Sequence, residues 1–360
     1  MGAQAATTRA QVLDSVPQET IEWLLAEENP AVAVLTRRTL LGESDDAATT
    51  KLWSHRNNYG PVTAILDAIR DDGSWDTPGR DYQKYKGSLW QIHLLGELWA
   101  DASDERVAAG AEYAFGRQLD DGSWSCNGRP AASIPCLTAN VGRALARLGY
   151  AEDPRVIAAL GYCASLFRET GILDCRGGGE YQLNGYCHML APKTLLFLAE
   201  VPGKLWPDGA EALRDECISK LRDKQVFHCL PQESGEFQDV VWSAPAGERH
   251  GLREAFLAEH HTLHYKEKPG WLRFGYPLAY NSDALEALTS LTAIGEPPRS
   301  EYADAIHIVR EAADAQMRWK LRNTLNGKMY ADVEEKGTPS RWLTLRALQI
   351  LEWSAGERNA

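Results

Sequence analysis

Five of the seven cysteines, Cys126, Cys136, Cys163, Cys175 and Cys187, lie between positions 126 and 187, and the last is followed directly by His188. Thiolates and an imidazole are donors that suit zinc, and Cys136, Cys175, Cys187 and His188 have the types for one tetrahedral site. Four protein donors would close such a site and make it structural, whereas three would leave a position for water or substrate. The same residues fit a second role as small buried thiols, because cysteine is among the most buried residue types. A second cluster is aromatic: Trp271, Phe274, Tyr276 and Tyr280 run up to Asp283. With Trp90 they would line a pocket, or else pack a core, and Asp283 would serve equally as a helix N-terminal residue. His260 and His264 share a helix face and could bind metal or move protons, although one satisfied core histidine is the commoner arrangement. Lys86, Lys268 and Arg273 could meet an anionic group or remain solvated.

The elements that must position these residues are helical. Ser15–Leu35, Asp45–Asn57, Tyr85–Trp99, Leu137–Leu148, Met189–Val201, Leu278–Ile294, Tyr302–Trp319 and Arg341–Trp353 carry apolar residues at helical spacing. Met189–Val201 is apolar nearly all round, which predicts burial on both sides. No stretch alternates with the period of a strand, so the fold class is all-α. The 360 residues contain no linker-like stretch, and one domain over 1–360 is expected, with 1–57 as helices leading in.

The sequence repeats itself. Asp-Asp-Gly-Ser-Trp occurs at Asp71–Trp75 and again at Asp120–Trp124, 49 residues apart, and Glu169–Leu173 is a worn third copy at the same interval. Each copy closes one helical stretch and precedes another, so the unit is a helix pair that buries its apolar face only against its neighbours. The glycine suits a left-handed stop and the tryptophan can fold back over the preceding helix. Cys126 lies two residues after Trp124, as Cys175 lies two after Leu173, which makes Cys126 a substitute for Cys175.

Gln118-Leu-Asp-Asp-Gly-Ser-Trp124 fits Q-x-x-x-G-x-W, and the other copies carry Ile69 and Phe167 in place of the glutamine. The chain thereby resembles the α/α-toroid superfamily of terpene cyclases and protein prenyltransferase β subunits, most closely small bacterial prenyltransferase/squalene-oxidase repeat proteins. Cys136–Asn140, Cys187–Met189, Lys268–Pro277 and Lys336–Leu348 extend the likeness over roughly residues 60 to 350. The resemblance implies a toroid of helical hairpins, an aromatic-lined central cavity and a hydrophobic, isoprenoid-like substrate. It implies a cyclase, isomerase or lyase in which Asp283 is the acid, Tyr280 acts beside it, and Trp271, Phe274, Tyr276 and Trp90 line the pocket. It places Cys136 and the Cys187-His188 pair at the starts of adjacent inner helices, as in lanthipeptide cyclases, where zinc activates a thiol. The D-x-D-D acid motif of squalene-type cyclases is absent, as is D-D-x-x-D. Zinc-assisted thiol chemistry and a non-catalytic binding scaffold with structural zinc are therefore the alternative expectations.

The net charge of −12 and the lack of a dense basic run argue against a nucleic-acid partner. No apolar run reaches the length of a membrane span, and the N-terminal MGAQAATTRAQ lacks a hydrophobic signal core, so a cytoplasmic protein is expected.

Overall fold

The computed structural model describes residues 12–76, 79–170, 189–229 and 266–356, with scattered positions between 240 and 259. Thirteen α-helices of six residues or more are described. They are α1 Gln18–Leu24, α2 Pro30–Leu35, α3 Ala47–Ser54, α4 Gly60–Asp67, α5 Ser88–Glu97, α6 Glu105–Phe115 and α7 Pro135–Leu145. There follow α8 Pro154–Thr170, α9 Leu190–Glu200, α10 Ala210–Asp223, α11 Ala284–Ala293, α12 Ala303–Glu311 and α13 Arg341–Ala355. The described strand structure is one antiparallel ladder of two residues a side, His228–Cys229 against Lys266–Glu267. Among the described residues no helix is long and apolar enough to cross a membrane.

Caps explain where several helices begin. Asp46 accepts the backbone N–H of Thr49 and starts α3, while Asn29 accepts that of Val32 and splits the expected Ser15–Leu35 helix into α1 and α2. Ser340 starts α13 in the same way. Two expected helices are shorter than their periodicity: residues 278–282 lie outside α11, and 312–319 lie outside α12.

The repeat unit is held by its tryptophan. Trp75 Nε1 donates to the Ile65 carbonyl at 2.7 Å and Trp124 Nε1 to that of Ala114 at 2.8 Å. The backbone N–H of each tryptophan donates forward, to Ser88 Oγ and Thr138 Oγ1, both at 3.0 Å. One residue thus ties the preceding helix to the first turn of the next, with both polar groups satisfied in a dry interior. Gly73 and Gly122 take left-handed φ values of 80° and 86°. A Cβ at Gly122 would lie 2.3 Å from the Ala158 carbonyl oxygen, so the turn presses directly on α8. Gln118 Nε2 donates to the carbonyls of Gly122 and Arg155, joining the turn to the start of that same helix. The copy expected at Glu169–Leu173 extends outside the described residues. A further staple stands at Trp319, whose Nε1 donates to the Val309 carbonyl at 2.6 Å and whose N–H donates to Thr344 Oγ1.

The helices α5, α7 and α9 pack side by side. Gly96 of α5 lies against Ala144 of α7, and Gly142 of α7 lies against the ring of Phe197 in α9. These contacts join positions at similar distances from each helix start, so α5, α7 and α9 begin at one level. Lys193 of α9 and Glu286 of α11 pair at 3.2 Å near their own first turns, which brings α11 to that level too. These helices are almost wholly buried, α9 on every side as its sequence predicts, and they carry buried polar groups such as His93, Glu97, Asn140, Arg143, Lys193 and Glu286 among their apolar residues.

Candidate functional site

The level at which these helices start is where the chemistry-bearing residues collect. Cys136 is buried in the first turn of α7, and its Cβ is tilted toward the helix start. The Gly142–Phe197 contact sets the register between α7 and α9, and the same offset puts Cys136 level with Ala191. Cys175, Cys187 and His188 lie outside the described residues. Cys126 is exposed in the loop before α7. Among the described residues, no group of three His, Cys, Asp or Glu side chains is placed to hold a metal.

A knot of rings stands where α5 begins. Trp90 of α5 meets Tyr280 edge-on at 4.9 Å between centroids, and Tyr82 closes the triangle at 6.0 Å and 6.4 Å. Tyr85 and His93 pack on other edges of Trp90. The Tyr280 hydroxyl donates to that of Tyr82 at 2.8 Å, and the Lys84 ammonium sits 5.3 Å above the Tyr280 ring. Burial raises the Tyr82 phenol above its ordinary pKa, and the neighbouring Cys126 and Cys136 thiols add to that rise.

The other expected pocket residues belong to a segment that enters the helix array. Trp271, Phe274 and Tyr276 are almost completely buried. Tyr276 stacks on Trp342 at 4.8 Å, and its hydroxyl donates to the Glu97 carbonyl. Further on, the Leu278 carbonyl accepts from His93 Nε2 at 2.7 Å and that of Ala279 from Asn140 Nδ2 at 3.0 Å. The stretch 275–280 therefore touches α5, α7 and α13. Burial lowers the His93 pKa, and the carbonyl partner fixes its proton on Nε2.

Asp283 anchors that segment. Its Oδ1 accepts the Glu286 N–H that caps α11, and its Oδ2 accepts the Gly275 N–H, each at 2.8 Å. Burial raises its pKa to about 7, outweighing both backbone donors, and the nearby Glu286 carboxylate adds to the rise. A carboxyl raised in the folded state stabilises the fold fully below its unfolded pKa, and that contribution fades as pH climbs through about 7. The stability gap between wild type and Asp283→Asn is therefore expected to narrow between about pH 4 and pH 7 in urea titrations. A gap that stays constant over this range would show that Asp283 does not titrate there.

Beneath the ring knot, Glu97 gathers three guanidiniums. Arg143 and Arg346 pair with it directly, the latter at 3.0 Å, and Arg147 lies at 3.6 Å. Burial alone would raise the Glu97 pKa, but the three arginines hold it far below the carboxylate range. Neither Glu97 nor its arginines stand out in the sequence, since Glu97 and Arg346 are 249 positions apart. His260, His261 and His264 lie outside the described residues. Lys86 donates to the Met329 carbonyl, and Lys268 lies 5.7 Å over Trp271.

No protein-family model matches the chain, and no curated protein matches it. A solved structure from Actinoplanes, titled as the crystal structure of a protein from that organism, is 15% identical. The match covers 82% of this chain and 97% of the other, with a TM-score of 0.28.

Proposed function

We propose that the chain is an α/α-toroid enzyme of the cyclase, isomerase or lyase type. It acts on a hydrophobic small molecule at the rim where α5, α7, α9 and α11 begin. Closure into a toroid is supported by Arg346 of α13 reaching Glu97 of α5, and by Gln349 of α13 donating to Thr39 beside α2. The observation that carries the functional reading is the cluster of the Trp90, Tyr82 and Tyr280 rings, with the Cys136 thiol near enough to act on the charge of Tyr82. Aromatic faces there stabilise positive charge developing on an apolar substrate. Tyr280, hydrogen-bonded to Tyr82, is the proton-transferring group, and Asp283 positions it by tying down 275–283.

A zinc ion at this rim fits the donor chemistry: Cys136, Cys187, His188 and Cys175 offer the thiolates and imidazole that zinc takes. Bound there, zinc supplies Lewis acidity if a position is open and a structural clamp if it is closed. Elemental analysis is expected to find about one zinc per chain, lost in Cys136→Ser and Cys187→Ser and kept in Cys217→Ala. Full zinc in both serine variants would remove these residues from the site.

The activity is tested by incubating the protein with isoprenoid and other long-chain substrates and reading products by mass spectrometry. Product formation that disappears in Tyr280→Phe supports the assignment, and undiminished turnover in that variant overturns it. The second reading is a non-catalytic binding scaffold. It is favoured by the chain's own occupation of the space between α5, α7 and α13, and absence of turnover across the panel would select it.

A further inference from the structure

Three extended segments lie side by side at the surface beside α12. In the middle runs 319–323; Arg322 N–H donates to the Phe274 carbonyl on one flank, and Leu321 exchanges backbone hydrogen bonds with Gly337 and Thr338 on the other. Alternation along the middle segment buries Trp319 and Leu321 and turns Lys320 and Arg322 outward together. Arg273 and Lys336 flank them, so four cations line one hollow of about 390 Å³ with Leu321 and Gly337. No carboxylate lines it, and among the described residues none of the four side chains forms an ion pair. Lys320 and Arg322 also border a second hollow of about 310 Å³, walled by Leu272, Phe274, Ile308, Ala312 and Trp319, with His307 and Glu311 at its edge.

Convergence of like charges on neighbouring extended segments is destabilising. Here it persists in a chain with 50 acidic and 38 basic residues, where carboxylate partners are plentiful. We infer that the paired hollows bind a soluble amphiphilic phosphate, its phosphate held by Arg273, Lys320, Arg322 and Lys336 and its apolar part lying against Leu272, Ile308 and Ala312. Guanidiniums engage phosphate through paired hydrogen bonds, and both hollows are of small-ligand size. A phosphate headgroup in a bilayer offers the same chemistry, but the net charge of −12 repels an anionic surface, which favours a discrete molecule. The inference is independent of the chemistry proposed for the helix-start rim.

Isothermal titration with inorganic phosphate, octyl phosphate and phosphatidic-acid vesicles tests it. Octyl phosphate should bind more tightly than inorganic phosphate, and both should weaken as salt rises. The Lys320→Gln/Arg322→Gln pair should weaken octyl phosphate binding by roughly a hundredfold, and Lys336→Gln by roughly tenfold. Ala312→Phe should abolish the advantage of the octyl chain while leaving inorganic phosphate binding in place. The exposed Lys51→Gln should change nothing. Circular dichroism should show unchanged folding, and if the double variant unfolds, Lys336→Gln decides. Octyl phosphate binding that survives these charge removals, or no binding at millimolar ligand, would overturn the site. Tighter binding to vesicles than to octyl phosphate would overturn the choice of a soluble ligand.

Discussion

Glu97→Gln is expected to destabilise the protein by about 3–5 kcal/mol, the usual cost of leaving a buried charge uncompensated. Glutamine keeps the size of the side chain and an acceptor oxygen, so the variant isolates the charge. Without it, the guanidiniums of Arg143, Arg147 and Arg346 face one another, Glu200 pairing with Arg143 and Arg147 and Glu286 acting on Arg346 through its charge alone. Arg346→Met should cost less, because Glu97 then still has two cations. The pH dependence follows in sign. The Glu97 pKa is depressed on folding, so its contribution is present above the unfolded carboxyl value and is lost as pH falls through the folded one. Urea denaturation followed by circular dichroism should place the Glu97→Gln midpoint well below wild type at pH 7, with the difference shrinking in acid. A loss under about 1 kcal/mol would mean that the arginines find other partners.

Trp124→Ala should be comparably damaging, at about 3–5 kcal/mol. The indole is fully buried, and its removal leaves a large cavity between α6, α7 and α8 together with an unpaired Ala114 carbonyl. Trp124→Phe separates the two effects: most of the volume returns, and the lost hydrogen bond alone should cost about 1–3 kcal/mol. Thermal melts of the two variants would order them alanine, then phenylalanine, then wild type. Equal melting of alanine and phenylalanine variants would show that the hydrogen bond, not the packing, does the holding.

The helix class and the staple were readable because both are local. Apolar spacing marks α5, α7, α9 and α13 to within a few residues, and Asp-Gly-Ser-Trp carries its own turn chemistry. The Trp319 staple escaped because Asp314-Ala-Gln-Met-Arg-Trp319 keeps the spacing of the other copies but not their residues, with Met317 rather than glycine at the left-handed φ, here 55°. Residues 278–282 read as the start of a helix, since Leu278 and Ala279 continue the apolar spacing of α11. Their carbonyls instead go to His93 and Asn140, a tertiary choice no local pattern encodes. At the candidate site, Trp90, Tyr280 and Cys136 were identifiable by type, whereas Tyr82 was not, because its neighbours come from three separate stretches of chain. The four-cation hollow was visible only as Arg273, since its other members are dispersed from 320 to 336.

The stretch 275–280 also bears on how the molecule is made. It sits among α5, α7 and α13, so helices synthesised first are lined by chain synthesised much later. As the polypeptide leaves the ribosome, α5 and α7 can form and be stapled by Trp75 and Trp124 while their inward faces still lack a covering. His93, Asn140 and Glu97 then wait for partners near position 280 and at Arg346. An unfinished chain ending before residue 275 should accordingly expose a surface of apolar and unpartnered polar groups and depend on chaperones, whereas the finished one carries the segment that covers it.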